Sequence, residues 1–288
     1  MERRNIGAAE AKAQHCTDDS IPSKAHRMAK VTLHTDGDVG VLSLTNPPLN
    51  LWDKGLLADW KSAVDQAART PMRALVVRAE GSIFSGGADV SIFRDVSTIE
   101  GREMFEIYLP VIRKLETLPF PTIAAVQGLC VAAGMELVLA CDLIWAGESA
   151  RLGQTEAMIA TSTLLGGIQR ITARAGAARA KEMVFSGAQY DAKTLERWNI
   201  INRVVPDDKL QDEVMAYARV LANGPTASHA VGKELIRKYL TGGLHEADQH
   251  ILDVAMKLFE TRDMQHGVSV LLDHGVRRLA ELARFTGR

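Results

Sequence analysis

Thr122-Ile-Ala-Ala-Val-Gln-Gly-Leu-Cys-Val-Ala-Ala-Gly-Met-Glu-Leu-Val-Leu-Ala-Cys141 is an apolar stretch with one carboxylate, Glu136, set inside it. A spanning helix is a poor reading of it. Gln127, Glu136 and the following Asp142 would be costly in a bilayer core, and Gly128 and Gly134 break the run into shorter pieces. A buried strand over Thr122–Val126, a turn, a helix entered near Ala133 and a further strand over Leu143–Ala146 fit the pattern.

Outward from this stretch, strand and helix signals alternate. Val31–His34 and Val39–Leu44 flank Asp36-Gly37-Asp38 and predict a β-hairpin. Asn46-Pro-Pro-Leu-Asn50 reads as a turn. Leu56, Leu57, Trp60 and Val64 recur at helical spacing within Leu51–Ala68, and Ala74–Arg78 reads as a buried strand. Met104, Ile107, Tyr108, Val111, Ile112 and Leu115 form a helical stripe over Arg102–Leu118, stopped by Pro119 and Pro121. The alternation points to an α/β fold with parallel strands rather than a sandwich. Past Asp207 the β signal fades, and helices are expected over Leu210–Ala222, Ala227–Tyr239, Glu246–Leu258, Arg262–Asp273 and Val276–Arg284. They would cover the core or build subunit contacts. Three regions follow: a floppy leader over 1–28, an α/β core over 29–206 and a helical region over 207–288.

The 288 residues carry 34 Lys plus Arg against 35 Asp plus Glu, so no basic footprint points to nucleic acid or an anionic membrane. Cys16, Cys130 and Cys141 form no Cys-x-x-Cys pair. This fits reduced thiols in a cytoplasmic setting. His245 and His250 are five apart and off a shared helical face, and no metal site is expected. The leader has no apolar run and does not read as a secretory signal.

Three further features gather around Glu136. Phe84-Ser-Gly-Gly-Ala-Asp-Val90 and Gly128-Leu-Cys-Val-Ala-Ala-Gly134 are small-residue turns whose backbone N–H groups can approach a ligand closely. Arg151-Leu-Gly-Gln-Thr155 leads into a second glutamate, Glu156. Taken singly, either turn reads better as a tight strand-to-helix connection, a lone Glu136 as a carboxylate stapled to an arginine or a backbone cap, and Glu156 as a solvated loop residue. Together they point to acid–base chemistry beside an anion hole. Ser85 lacks a G-x-S-x-G elbow, which argues against a serine hydrolase.

In combination and order, Phe84–Val90, Gln127–Leu137, Ala140-Cys-Asp142, Leu152-Gly-Gln-Thr-Glu156 and Gly166-Gly-Ile-Gln-Arg170 resemble the crotonase superfamily, the enoyl-CoA hydratase/isomerase proteins, over about Val31 to Asp273. The resemblance implies a crotonase-like spiral of ββα units with a helical C-terminal region, commonly assembled as a homotrimer or hexamer. It implies that Ala88 and Ala133 supply paired oxyanion N–H groups and that Glu136 and Glu156 are the catalytic glutamates. It also implies that Ala88, Asp89, Val90 and Ser91 border an acyl-CoA thioester, with Asp89 and Asp142 otherwise structural. Coenzyme A is then part of the substrate, and no cofactor or metal is required. With both glutamates present, the expected reaction is hydration of a 2-enoyl-CoA, Glu136 serving the water and Glu156 the proton at C2. A mutual repulsion of the two carboxyls should raise one pKa. An isomerase, another crotonase-type reaction, and a CoA- or RNA-binding relative without catalysis are the alternatives.

The sequence departs from the family pattern at three places. Thr163-Leu164-Leu165 stands where hydratases often have small residues, so Leu164 and Leu165 either reshape the acyl pocket or belong to ordinary core. Ser91 replaces a common lysine, and Asp273-His274-Gly275 replaces a cationic tail motif. Arg94, Lys54, Arg277 or Arg278 could take over their contacts with CoA phosphates.

Overall fold

A computed structural model describes residues 28–287. The leader, with Cys16, lies outside the described residues apart from Met28. The first units run β1 (Val31–Asp36), β2 (Val39–Leu44), α1 (Lys54–Ala67), then β3 (Ala74–Ala79) and α2 (Thr98–Glu116). Next come β4 (Thr122–Val126), β5 (Leu129–Val131), α3 (Ala133–Leu139), β6 (Leu143–Gly147), β7 (Arg151–Gly153) and α4 (Gly167–Ser186). β8 (Tyr190–Asp191), α5 (Ala192–Arg197) and β9 (Arg203–Val205) close the α/β part.

Two sheets share the strands. The larger has the order β1-β2-β3-β4-β6-β9, and the smaller β5-β7-β8. In the larger sheet only the β1–β2 hairpin is antiparallel, and each pairing from β2 to β9 is parallel. Isolated parallel bridges, Trp52 to Ala88 and Ser85 to Cys130, extend the strand pairing beside β5. Each unit thus contributes a strand to the main sheet, a short second strand or bridge beside it, and a helix, the ββα repeat the resemblance implies. Strands buried on both faces, such as β4 with all five residues buried, explain the unbroken apolar runs in the sequence.

The sheet's two faces are covered differently. One carries Leu42, Leu75, Val77 and Ala124 against α1, α2 and α3 residues including Leu56, Trp60, Leu115 and Met135. The other carries Val39, Val76, Ile123, Ala125 and Trp145 against Leu210, Val214 and Ala218 of α6 (Leu210–Ala222). The helical region beyond residue 207 therefore begins as a cover for the core. Beyond α6 come α7 (Thr226–Ala255), α8 (Arg262–His274) and α9 (Val276–Leu282).

The structure corrects several expected boundaries. The two helices expected over 227–239 and 246–258 lie within α7 on either side of a break at Gly243 (φ 77°, ψ −174°), but the second gives way after Ala255 to a 3-10 turn over Met256–Glu260. α2 begins at Thr98, earlier than the apolar stripe suggests, because Ser97 and Glu100 form a reciprocal capping box. It also ends before Pro119, at Glu116. Among the described residues no helix is long and apolar enough to cross a membrane, and no cluster of three or more His, Cys, Asp or Glu could hold a metal.

Asp142 ties α7 to the core. Its Oδ2 accepts from Thr122 N (2.8 Å), Thr122 Oγ1 (2.9 Å) and Lys233 Nζ (2.7 Å), and Lys233 also donates to Phe120 O. The structural role read for Asp142 follows from these bonds. Asp142→Ala leaves a mostly buried ammonium without its carboxylate partner and the buried Thr122 amide without its acceptor, and we expect a loss of about 2–3 kcal/mol in urea unfolding. A change within about 0.5 kcal/mol, the range of an ordinary surface substitution, would show that the tie contributes little.

Candidate active site

The two small-residue turns are strapped together by backbone bonds. Ser85 N donates to Leu129 O and Val131 N to Ser85 O, both at 3.0 Å. Trp52 N donates to Gly87 O (2.9 Å) and Asp89 N to Trp52 O (3.1 Å). That bridge uses the groups on either side of Ala88, so the Ala88 amide faces away from Trp52. Ser85 Oγ is fully engaged, accepting from Trp52 Nε1 and Gly87 N and donating to Asn50 O. It is a structural post, not a nucleophile.

Two glycines permit the close approach. Gly87 has φ +94°, and a Cβ added there would lie 3.0 Å from Ala132 Cβ and 3.9 Å from Ala133 N, which sets the first turn against the start of α3. A Cβ on Gly134 would meet Ser85 Cβ at 2.6 Å. Ala132, just before α3, adopts φ 49° and ψ −124°, a region costly for a residue with a side chain, by about 1–3 kcal/mol. Ala132 N donates to Gly153 O (3.0 Å), and that bond and the Val131–Ser85 bond hold the turn. Among the described residues, neither the Ala88 nor the Ala133 amide donates to a protein acceptor. Both residues line one cavity.

That cavity, about 270 Å³, is also walled by Glu136 and Glu156. The structure therefore brings together the four residues expected to act: Ala88, Ala133, Glu136 and Glu156. Val90, Leu164 and Leu165 line it too, whereas Asp89 and Ser91 do not. Asp89 Oδ1 instead accepts from Ser91 N (3.0 Å), capping the 3-10 turn Val90–Phe93. Leu164 and Leu165 both line the cavity, and Leu165 also packs into the hydrophobic core. Leu165 is buried, and Leu164 remains 42% exposed at the mouth.

Glu136 is 3% exposed, one turn into α3, with its own N–H bonded to Ala132 O. Its Oε1 accepts from Leu165 N (2.8 Å) and Gly167 N (3.0 Å). Burial raises its pKa, opposed by the N–H groups of Gly167, Leu165 and Leu164 and by the charge of Arg170. Glu156 opens a 3-10 turn after β7. Burial pushes its carboxyl up to about 7, and the charge of Glu136 adds to the rise. The expected raised pKa is present, but desolvation is its leading cause rather than mutual repulsion.

Several residues in and behind the cavity wall escaped the sequence reading. Gln154 is fully buried; with its amide turned so that nitrogen faces the carboxylate, it donates to both Glu156 oxygens, at 2.8 and 3.0 Å. The apolar wall comprises Leu57, Phe93, Met104, Phe105, Met158 and Ile159 among others. Met104 belonged to the recognised helical stripe, but its stripe-mates Val111, Ile112 and Leu115 are core, and periodicity does not separate the two uses.

The Glu156 carboxyl sets a pH dependence of stability. Between an ordinary 4.5 and about 7 the unfolded chain has released the proton that the folded chain still holds. Rising pH through that window therefore weakens folding, with no further loss above it. Glu156→Gln removes this contribution, so its stability relative to the wild type should rise between pH 5 and pH 8 in chemical denaturation. Parallel pH profiles for the two proteins would contradict the buried-carboxyl account.

Comparisons with known proteins place the fold and the family. The enoyl-CoA hydratase/isomerase family model matches residues 34–276. A short-chain-enoyl-CoA hydratase of Clostridium acetobutylicum is 27% identical over 247 residues, 84% of this chain and 94% of the relative. Among solved structures, an enoyl-CoA hydratase subunit I from Geobacillus kaustophilus superposes with a TM-score of 0.83 at 30% identity, covering 90% of this chain and 98% of that one. An enoyl-CoA hydratase from Bacillus anthracis gives 0.82 at 25% identity, covering 90% and 100%. With its ββα spiral and the family match across most of its length, the chain belongs to the enoyl-CoA hydratase/isomerase family of the crotonase superfamily, whose members act on acyl-CoA thioesters.

Proposed function

We propose that the protein is an enoyl-CoA hydratase, a lyase that adds water reversibly across the C2–C3 double bond of a 2-enoyl-CoA thioester. The observation that carries this reading is the placement of two carboxyls, Glu136 and Glu156, on one cavity wall with the Ala88 and Ala133 amides. An isomerase needs only one carboxylate to shuttle a proton, and a binding relative needs neither.

In this mechanism the two amides hold the thioester oxygen. Glu136, ionised and braced by two N–H groups, takes a proton from water as its oxygen bonds to C3. The electrons of the double bond move toward C2 and the thioester, giving an enolate whose charge rests on the oxygen between the amides. Glu156, partly protonated near neutral pH, delivers its proton to C2. The proton taken by Glu136 and the proton lost by Glu156 exchange with solvent to reset the site. The substrate carries its own coenzyme A, and the steps draw on no other cofactor. The apolar wall of Phe93, Met104, Phe105, Ile159 and Leu164 suits a hydrocarbon acyl group rather than an anionic one, which two glutamates would repel.

The reading extends to assembly and location. C-terminal helices α7 and α8 present exposed Leu240, Leu244, Leu252 and Leu272, which supports a homotrimer or hexamer, distinguishable from a single chain by sedimentation. The buried free thiols of Cys130 and Cys141 support a reducing, cytoplasmic setting.

Loss of the conjugated-thioester absorbance of crotonyl-CoA, with the product checked by mass, tests the reaction. Glu136→Gln and Glu156→Gln should each lower kcat by about 10²- to 10⁴-fold with KM little changed. Wild-type turnover in both variants would end the two-carboxylate mechanism.

A further inference from the structure

We propose that Arg170 is a positioning residue that braces the Glu136 carboxylate, acting through the single peptide group that joins Gly166 to Gly167. The inference rests on the reading of Glu136 as the base that serves water, and it assigns a task to the arginine that ends the Gly166-Gly-Ile-Gln-Arg170 motif.

The geometry is a relay of one amide. Arg170 Nη1 donates to Gly166 O at 3.0 Å, and Gly167 N, the other end of that peptide unit, donates to Glu136 Oε1 at 3.0 Å. The C=O and N–H of a trans peptide point in opposite directions, so guanidinium and carboxylate lie on opposite sides of one peptide plane. A cation on the carbonyl polarises the amide and makes its N–H a stronger donor to the carboxylate. Arg170 Nη1 also donates to Leu165 O at 2.9 Å, while Leu165 N donates to Glu136 Oε1. The loop thus turns amides inward to the carboxylate and carbonyls outward to the cation.

The arginine is itself fixed. Its Nε and Nη2 form a two-point fork with Glu116 at the end of α2, both bonds 2.6 Å, and its side chain is 14% exposed. A Cβ on Gly166 (φ +93°) would fall 2.1 Å from Arg170 Nη1, so the loop backbone is pressed against the guanidinium. A lysine could supply the charge but not the fork that reaches Glu116 and two carbonyls together. The charged groups around Glu136 are Glu156 from the turn after β7, which disfavours its ionisation, and Arg170 from α4, which favours it; Glu116 from α2 sits behind Arg170 and partly offsets that cation. Burial favours the protonated form of Glu136, which cannot accept a proton, and the loop amides and Arg170 oppose that effect.

The test follows the Glu136 carboxyl itself, not only catalysis. Protein labelled with 13C at the glutamate carboxyl carbon is titrated by NMR, with Glu136→Gln identifying the resonance. In Arg170→Gln the Glu136 midpoint should rise by about one pH unit relative to the wild type, with Arg170→Lys in between. The acid limb of kcat/KM for crotonyl-CoA hydration should move up with it, and activity should recover at high pH with KM preserved. An unmoved midpoint in folded variants overturns the proposal, as does activity lost equally at every pH. Should Arg170→Gln fail to fold by circular dichroism, Arg170→Lys carries the same comparison. If the wild type hydrates no enoyl thioester, the hydratase reading falls, and the NMR midpoints still decide the role of Arg170.

Discussion

A carboxylate with 3% exposure is the constraint around which this structure is arranged. An ionised carboxyl removed from water is costly unless hydrogen bonds and charge compensate. Glu136 is accordingly met by two amides of the 164–167 loop, with a cation behind them. That loop can wrap the carboxylate because Gly167 has no side chain: a Cβ there would crowd the Gln154 side-chain amide at 2.7 Å and Glu136 Cγ at 3.1 Å. The same packing brings Gln154, and through it Glu156, to the same wall.

The fold serves this arrangement by bringing distant segments into register. Parallel pairing of β3, β4 and β6 carries the chain repeatedly to the same end of the sheet. There the Ser85–Ala88 and Leu129–Ala133 turns are locked together by the Ser85–Cys130 bridge. The locking orders Ala132 in a conformation it would not adopt alone, and the helix beginning at Ala133 carries Glu136 one turn further on. Stability and site are coupled, since the bonds that close the core also aim the amides.

Much of this was legible in the sequence where the signal is local. The Asp36-Gly37-Asp38 turn marks its hairpin, the Leu210–Ala222 periodicity marks α6 with the bounds observed, and one glutamate in an apolar run marks the site. The missing parts have physical reasons. α4 was not anticipated because only Gly167, Ile171, Ala180 and Met183 are buried along its 20 residues and Gly176 interrupts it, so no apolar stripe forms. Arg170 and Gln154 look like ordinary polar residues, since the Glu116 fork of Arg170 spans 54 positions and the Gln154–Glu156 contact depends on both side chains being turned together by the fold. Glu136 and Glu156 were drawn together by their company with two small-residue turns, and the family resemblance supplied their separate catalytic roles.

The central claim is that a thioester oxygen sits between the Ala88 and Ala133 amides with both glutamates beside C2 and C3. A crystal structure with a non-reactive acyl-CoA thioester tests it most directly. The account predicts the thioester oxygen within hydrogen-bond distance, about 2.7–3.1 Å, of both amide nitrogens, with the Glu136 and Glu156 carboxyls facing the carbons next to it. A thioester bound elsewhere, or in this cavity with its oxygen turned away from either amide, would contradict it.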